Sequence, residues 1–138
     1  MKFIRKAQAV WEGSGKEGNG QLSTDSGVLE HTPYSFNTRF TDAKGTNPEE
    51  LIGAAHAGCF AMKLSFVIGE AGFTPEKLEV TAAVNFEDGV IDKIHLTLNG
   101  KVPGMDETTF LEAAEDARKN CPISALFKAE ITMSATLE

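Results

Sequence analysis

The chain has 138 residues, of which 41% are hydrophobic and 24% are charged, and its formal net charge is -7 at pH 7. This length suits one domain, so we predict a single folded unit over residues 1–138. The acidic excess repels nucleic acid and anionic membrane surfaces, and the 13 basic residues are scattered, so we expect neither a nucleic-acid nor a membrane partner.

The N-terminal segment begins MKFIRKAQAVWEG and has neither a continuous apolar stretch nor a cleavage site of the secretory type. We therefore predict a cytoplasmic protein. Its two cysteines would then lie in a reducing compartment, where a permanent disulfide is rare and a disulfide that forms and breaks during a reaction is the usual exception.

The first third of the chain has the pattern of a small sheet. The β-compatible residues 3–11 lead through the Gly-rich segment 13–20 into residues 21–24, which predicts a hairpin. Large apolar and polar side chains then alternate over residues 34–40, which predicts a third strand with Arg39 near its end.

The clearest local pattern is the start of a helix at Asn47. Asn47 can cap exposed backbone N–H groups, Pro48 fits the first helical position, and two glutamates follow at the positive end of the helix dipole. The helix is predicted to run to about Ala71, where Gly72 would stop it.

The body of this predicted helix is unusually apolar. From Leu51 to Gly69 only His56 and Lys63 interrupt a run of apolar or small residues, which predicts a central helix covered on nearly every face. Its length approaches bilayer thickness, but the lysine in the middle and the glutamates at both ends make it a poor membrane span. The many glycines and alanines suggest close approach of another backbone, such as that of a second subunit.

The second half of the chain predicts further strands and helices. These are a hairpin of strands 77–86 and 90–102, an amphipathic helix capped by Asp106, a short helical piece after Pro122 and a last strand over 130–137. Strands, helix, strands and helix in this order predict an α+β fold with antiparallel sheets around the long helix.

Both cysteines fall on predicted helix features. Cys59 lies in the apolar middle of the long helix, where a free cysteine is usually a small buried hydrophobe. Cys121 precedes Pro122, which places its thiol near a helix N-terminus, where the dipole favours a thiolate. A packing role and a redox pair both remain open, because sequence spacing does not show whether the thiols meet.

A thiol peroxidase needs a thiolate, a cation that keeps it ionised and a second thiol that traps the sulfenic acid. Arg39 is the best candidate cation because a guanidinium stays charged when partly buried, and Glu49 is the best carboxylate to fix it. The alternatives are a surface arginine and a glutamate that only stabilises the helix dipole.

Helix geometry constrains such a site. Glu49 and Cys59 are ten residues apart on one predicted helix, and a straight helix separates them by about 15 Å, too far for one compact site. Either the first turn bends away or the Arg39–Glu49 pair near a given Cys59 comes from a second subunit. We favour the second alternative and hypothesise a homodimer with composite sites.

Metal and phosphate chemistry have little support. His56 precedes Cys59 by three residues, so both can point to one side of the helix, but one histidine and one cysteine make at most half of a metal site. The chain also lacks a phosphate-binding glycine loop, a serine nucleophile elbow and a dinucleotide fingerprint. We therefore expect no metal and no cofactor.

Two segments carry a resemblance to a known family. Residues 45–60, GTNPEELIGAAHAGCF, and residues 120–124, NCPIS, closely resemble the OsmC/Ohr family of osmotically inducible protein C and the organic hydroperoxide resistance proteins. The resemblance runs over essentially the whole chain, and residues 23–29 and 33–40 are more similar to the OsmC branch. It implies an α+β fold of two intertwined subunits, with long central helices between sheets and two active sites at the dimer interface.

The resemblance also implies roles for single residues. Cys59 matches the family's peroxidatic cysteine, Cys121 its resolving cysteine, Arg39 the arginine of the OsmC branch and Glu49 the accompanying carboxylate. The implied activity is reduction of organic, lipid-like hydroperoxides in stress defence, with a disulfide that is reopened by a dithiol such as a lipoylated protein.

Two other functional classes remain as alternatives. A non-catalytic redox sensor or small-molecule-binding module could use the same two thiols or the apolar cleft of a dimer. A structural dimer whose cysteines only pack would form no disulfide with peroxide.

Overall fold

We describe all residues from Met1 to Glu138 in a computed structural model. The chain divides into two compact units, Met1–Leu51 and Ile52–Glu138, called here the N-terminal and the C-terminal unit. The single domain over residues 1–138 remains a prediction.

The N-terminal unit contains a three-stranded antiparallel sheet in the order β1 (Ala7–Glu12), β2 (Asn19–Thr24) and β3 (Thr32–Tyr34). The hairpin of β1 and β2 confirms the sequence prediction. Gly20 lies between Trp11 and Tyr34 in the register of the sheet, and a Cβ atom at Gly20 would collide with both rings. The glycine therefore lets the two aromatic rings close over the sheet, with their centroids 5.4 Å apart.

The strand predicted over residues 34–40 is wrong. The strand ends at Tyr34, and residues Phe36–Phe40 form a short helix, α1, so that Arg39 lies on a helix. The physical reason is a capping box, in which the Ser35 hydroxyl accepts from the Thr38 N–H at 3.3 Å and the Thr38 hydroxyl accepts from the Ser35 N–H at 2.9 Å. The two phenylalanines, which the alternation placed on one face of a strand, also meet at helical spacing, with ring centroids 4.9 Å apart.

The long helix follows the sequence prediction closely. Helix α2 runs over Pro48–Glu70, and the Asn47 side chain accepts from the Glu50 N–H at 2.8 Å. Gly72 adopts a φ of 90°, a conformation that a side chain disfavours, and ends the helix.

The faces of α2 differ in burial. One stripe is buried, and its members recur every three or four residues: Gly53, His56, Phe60, Leu64 and Ile68. Met62 and Phe66, on another face, are each 65% exposed. This chain alone therefore covers only part of the helix, and its covering on nearly every face remains a prediction. By length and composition alone α2 could also cross a membrane, a test that core helices pass as well.

The C-terminal unit contains a second three-stranded sheet, in the order β4 (Lys77–Glu87), β5 (Val90–Lys101) and β6 (Glu130–Leu137). The hairpin of β4 and β5 is antiparallel, as predicted, but β6 pairs with β5 in parallel, so the prediction of antiparallel sheets is wrong at this edge. The reason is the connection between them, which crosses over through α3 (Glu107–Asn120) and α4 (Pro122–Leu126). A crossover of this length brings the chain back to the same end of the sheet.

The hydrophobic core of this unit joins both of its longer helices to the sheet. Its fully buried large side chains come from α2, β5 and α3: Phe60, Leu64, Ile68, Ile94, Leu96, Leu98 and Phe110. Each such side chain contributes roughly 1.5–3 kcal/mol through burial. The core therefore fixes α2 against the junction of α3 and α4, which carries Cys121.

Candidate active site

The structure brings the two cysteines together. The Sγ atoms of Cys59, on α2, and Cys121, between α3 and α4, are 2.8 Å apart, and both are free thiols. Sequence spacing left open whether these side chains meet, because 62 residues separate them. The geometry places each thiol within direct reach of the other.

The two thiols differ in access. Cys121 is fully buried, whereas Cys59 is partly exposed. Cys59 lines a half-open pocket of about 240 Å³ together with Met62, Lys63, Phe66 and Pro122. A small molecule that enters this pocket reaches Cys59 first.

The surroundings of Cys59 within this chain do not favour its ionised form. Burial raises the pKa of the Cys59 thiol, and the hydrogen bond and charge of Cys121 raise it further. The backbone N–H of Ile123 acts in the opposite direction. No cation is among the causes, so a Cys59 thiolate would need a positive group in addition to these contacts.

Cys121 stands at the start of a short helix. Cys121 is the N-cap of α4, as the following proline predicts, but its side chain makes no capping hydrogen bond. Helix α4 has only five residues, so its dipole is short.

Arg39 and Glu49 form a bidentate ion pair in the N-terminal unit. The Arg39 Nη2 donates to Glu49 Oε1 at 2.6 Å, and Nε donates to Oε1 and Oε2 at 3.0 and 3.2 Å. The guanidinium also lies over the Phe40 ring, 5.1 Å from its centroid. The predicted contact between Arg39 and Glu49 is thus present, and it fixes the direction of the guanidinium. This pair lies in the N-terminal unit and the thiol pair in the C-terminal unit.

A second contact lies close to the thiols, and sequence reasoning did not find it. His56 is fully buried, and its Nε2 is 2.7 Å from the Ser124 hydroxyl, while its Nδ1 has no hydrogen-bond partner. The ring meets Phe127 edge-on, with centroids 5.5 Å apart. Burial lowers the pKa of His56 and so favours the neutral ring. The available signal was the spacing, because His56 and Ser124 each stand three residues from a cysteine.

His56 and Cys59 are potential metal ligands three residues apart on α2. No group of three or more His, Cys, Asp or Glu side chains is placed to hold a metal ion. The buried Nδ1 of His56 has no hydrogen-bond partner, and the His56 ring packs edge-on against Phe127.

Comparison with known families decides the chain's affiliation. The family model described as "OsmC-like protein" matches residues 41–136. The chain belongs to the OsmC-like family. The match includes Glu49 and both cysteines.

A full-length relative supports the assignment of this chain to the OsmC branch of the family. This OsmC-like chain is 51% identical to "Peroxiredoxin OsmC" of Escherichia coli over 142 residues, which cover 100% of the chain and 99% of the relative. The crystal structure of the organic hydroperoxide resistance protein OhrB of Bacillus subtilis shares 25% identity, with a TM-score of 0.68 over 96% of this chain and 98% of that one.

The fold is shared more widely than the sequence. An OsmC-like protein of unknown function from Vibrio cholerae superposes with a TM-score of 0.76 at 15% identity, over 98% of this chain and 100% of that one. At this identity the likeness concerns the fold alone. It shows that the α+β arrangement of two small sheets and helices is typical of the OsmC-like family.

Proposed function

We propose that this OsmC-like protein is a thiol peroxidase that reduces organic hydroperoxides to alcohols. The observation that carries the proposal is the thiol pair at 2.8 Å, of which only Cys59 reaches an open pocket. A peroxidase of this kind needs one accessible thiol that attacks and a second that is already in reach. The Escherichia coli relative is named a peroxiredoxin, and the Bacillus subtilis relative an organic hydroperoxide resistance protein.

The pocket favours an organic substrate over hydrogen peroxide. Its walls beside Cys59 include the apolar side chains of Met62 and Phe66 and the ring of Pro122. An alkyl or aryl group placed there would bury apolar surface, at about 25 cal/mol per Å². Hydrogen peroxide has no such group and gains nothing from these walls.

The proposed reaction has three steps: reduction of the peroxide, formation of the disulfide and reduction of the disulfide. The Cys59 thiolate attacks the distal oxygen of the hydroperoxide, the O–O bond breaks, and the leaving alkoxide takes a proton to become an alcohol. Cys121 then attacks the Cys59 sulfenic acid, and the S–O bond breaks with release of water as the disulfide forms. Two thiol–disulfide exchanges with an external dithiol, such as a lipoylated protein, restore both thiols and leave the dithiol oxidised.

The first step needs a cation beside Cys59. Because the contacts within the C-terminal unit raise the pKa of this thiol, we assign the cation to Arg39, which Glu49 holds in a fixed direction. Glu49 and Cys59 are ten residues apart on α2, which is a single helix from Pro48 to Glu70. This separation of about 15 Å supports a composite site, in which Arg39 of one copy serves Cys59 of another in a homodimer.

The test is steady-state reduction of cumene hydroperoxide, tert-butyl hydroperoxide and hydrogen peroxide by the purified protein with dihydrolipoamide. We expect turnover that is faster with the organic peroxides, is lost in Cys59→Ser, and stops at a trapped sulfenic acid in Cys121→Ser. Disulfide formation without turnover by any dithiol would reject the peroxidase in favour of a redox sensor. Absence of both would leave only a packing role for the cysteines.

A further inference from the structure

The thiol pair has a neighbour that links the same two segments. Cys59 and Cys121 join α2 to the junction of α3 and α4, and the hydrogen bond between His56 and Ser124 joins them again, at 2.7 Å. His56 lies about one helical turn before Cys59, and Ser124 follows Cys121 by the same three residues. The two bridges therefore run side by side between α2 and the segment of Cys121.

The hydrogen bond has the properties of a fixed tether. His56 is fully buried and Ser124 is 8% exposed, so water competes little for either group. The ring of His56 is also held from the side by Phe127, just beyond the end of α4. Neither side chain is consumed in the reaction, so this bridge can persist while the sulfur contact changes.

The sulfur contact must change during turnover. When Cys59 becomes a sulfenic acid, an oxygen atom occupies space beside its sulfur and the direct contact between the thiols is disturbed. The segment that carries Cys121 is short, since α4 has five residues and begins at Pro122. The core holds the α3 side of this segment, and the hydrogen bond of Ser124 adds an attachment on its α4 side.

We propose that His56 and Ser124 are positioning residues that hold Cys121 against α2 during the resolving step. This inference rests on the proposed peroxidase function. In that step the Cys121 sulfur attacks the sulfenic sulfur of Cys59, the S–S bond forms, the S–O bond breaks, and the hydroxyl leaves as water with the thiol proton. The competing reaction is attack of the sulfenic acid on a second hydroperoxide, which gives the sulfinic acid and an alcohol. The hydrogen bond between His56 and Ser124 therefore affects the peroxide concentration at which Cys59 is overoxidised.

The test measures the partition between these two outcomes. Reduced wild-type protein and the Ser124→Ala variant are exposed to a range of cumene hydroperoxide concentrations, and intact mass gives the fractions of disulfide and sulfinic acid. Because Ser124→Ala removes only a hydroxyl, it keeps the packing of the site. We expect the concentration that overoxidises half of the protein to fall by about tenfold or more, which corresponds to a resolving step slowed by the same factor.

Further variants separate positioning from loss of packing. His56→Leu should show the same shift as Ser124→Ala, and the double variant no more than either, because both remove one interaction. His56→Gln, whose amide can still bond to Ser124, should recover most of the resistance. The matched control is Thr132→Val, which removes the 2.6 Å hydrogen bond with His95 between β5 and β6 of the same unit and should leave the partition unchanged.

Two results would overturn the inference. The first is an unchanged partition in Ser124→Ala, and the second is an equal shift in Thr132→Val, which would trace the effect to general loosening. Failure of the peroxidase function itself is recognised separately in the wild-type protein, which would then either form the disulfide without turnover by any dithiol or form neither disulfide nor sulfinic acid.

Discussion

At the scale of single residues, the contact with Cys121 affects the ionisation of Cys59. Burial and the neighbouring Cys121 both raise the pKa of the Cys59 thiol. In the proposed reaction, the close contact of the two thiols that would favour resolution therefore acts against the Cys59 thiolate that the first step requires. A nearby cation such as Arg39 would lower the pKa of Cys59 and so oppose this effect.

The Cys121→Ser variant should lower the pKa of Cys59. A serine hydroxyl does not ionise in this range, so the charge of a neighbouring thiolate is removed, and the hydroxyl can donate to the Cys59 thiolate. The measurement is the rate of iodoacetamide alkylation of the Cys59 peptide against pH. Wild-type protein and the Thr132→Val variant, which is altered on β6, serve as references. A midpoint that stays in place or rises in Cys121→Ser would contradict the prediction.

His56 should give the protein a dependence of stability on pH. Its pKa in the folded state lies below the ordinary value of 6.5 because the ring is buried. The unfolded chain therefore binds more protons than the folded one as pH falls below about 6.5, and stability is lost in that window. The loss attributable to one group is at most about 1.4 kcal/mol per pH unit, and it ends below the folded pKa.

Urea unfolding of wild type and His56→Gln between pH 8 and pH 5 measures this contribution, on the usual linear dependence on urea. The glutamine variant has no ionisable group at this position, so its free energy of unfolding should fall less steeply over the acid half of the range. Equal slopes in the two proteins would show that other groups control the acid response.

At the scale of elements, the sequence predicts a helix or strand correctly where neighbouring residues strongly favour it. The start of α2 could be predicted because the capping side chain of Asn47 is followed directly by Pro48, which favours the first helical position. The structure has the cap at the expected residue. Residues 34–40 were misread because Phe36 and Phe40 fit both an alternating strand and a helical turn. The parallel pairing of β6 with β5 could not be predicted, because the alternation of apolar and polar residues shows which faces of a strand are buried but not the direction of the strand.

Contacts over long separations could not be predicted from patterns either. The meeting of Cys59 with Cys121, and of His56 with Ser124, depends on how the core packs α2 against the junction of α3 and α4. The family resemblance implied the first contact but not the second. Buried polar pairs of this kind have no periodic signature, since a single residue on each side is enough to make them.

The capping box of α1 should matter for catalysis as well as for stability. Ser35→Ala removes the side-chain cap of the helix that carries Arg39 and should destabilise the fold by about 1 kcal/mol. Fraying of α1 would also loosen the direction of the guanidinium, so kcat/KM for cumene hydroperoxide should fall several-fold. Thermal unfolding and steady-state kinetics measure the two effects. Ser26→Ala, in an exposed turn of the same unit, is the control, and an equal loss there would contradict the role of the cap.

At the scale of the whole molecule, the apolar faces of α2 and the position of Arg39 both bear on whether the protein is a homodimer. Met62 and Phe66 are exposed in the single chain, and Glu49 is ten residues from Cys59 along one helix. A homodimer with composite sites would account for both observations. Sedimentation tests the dimer, but it does not reveal which copy supplies the arginine to each thiol.

Heterodimers with two different affinity tags answer that question. In the first, one subunit carries Arg39→Met and the other Cys59→Ser. A composite site predicts one intact site of two, and therefore about half of wild-type turnover per dimer. In the second, one subunit carries both substitutions and its partner is wild type, which leaves no intact composite site and predicts almost no turnover. Sites built within single chains reverse the two results, so either pattern identifies the subunit that provides Arg39.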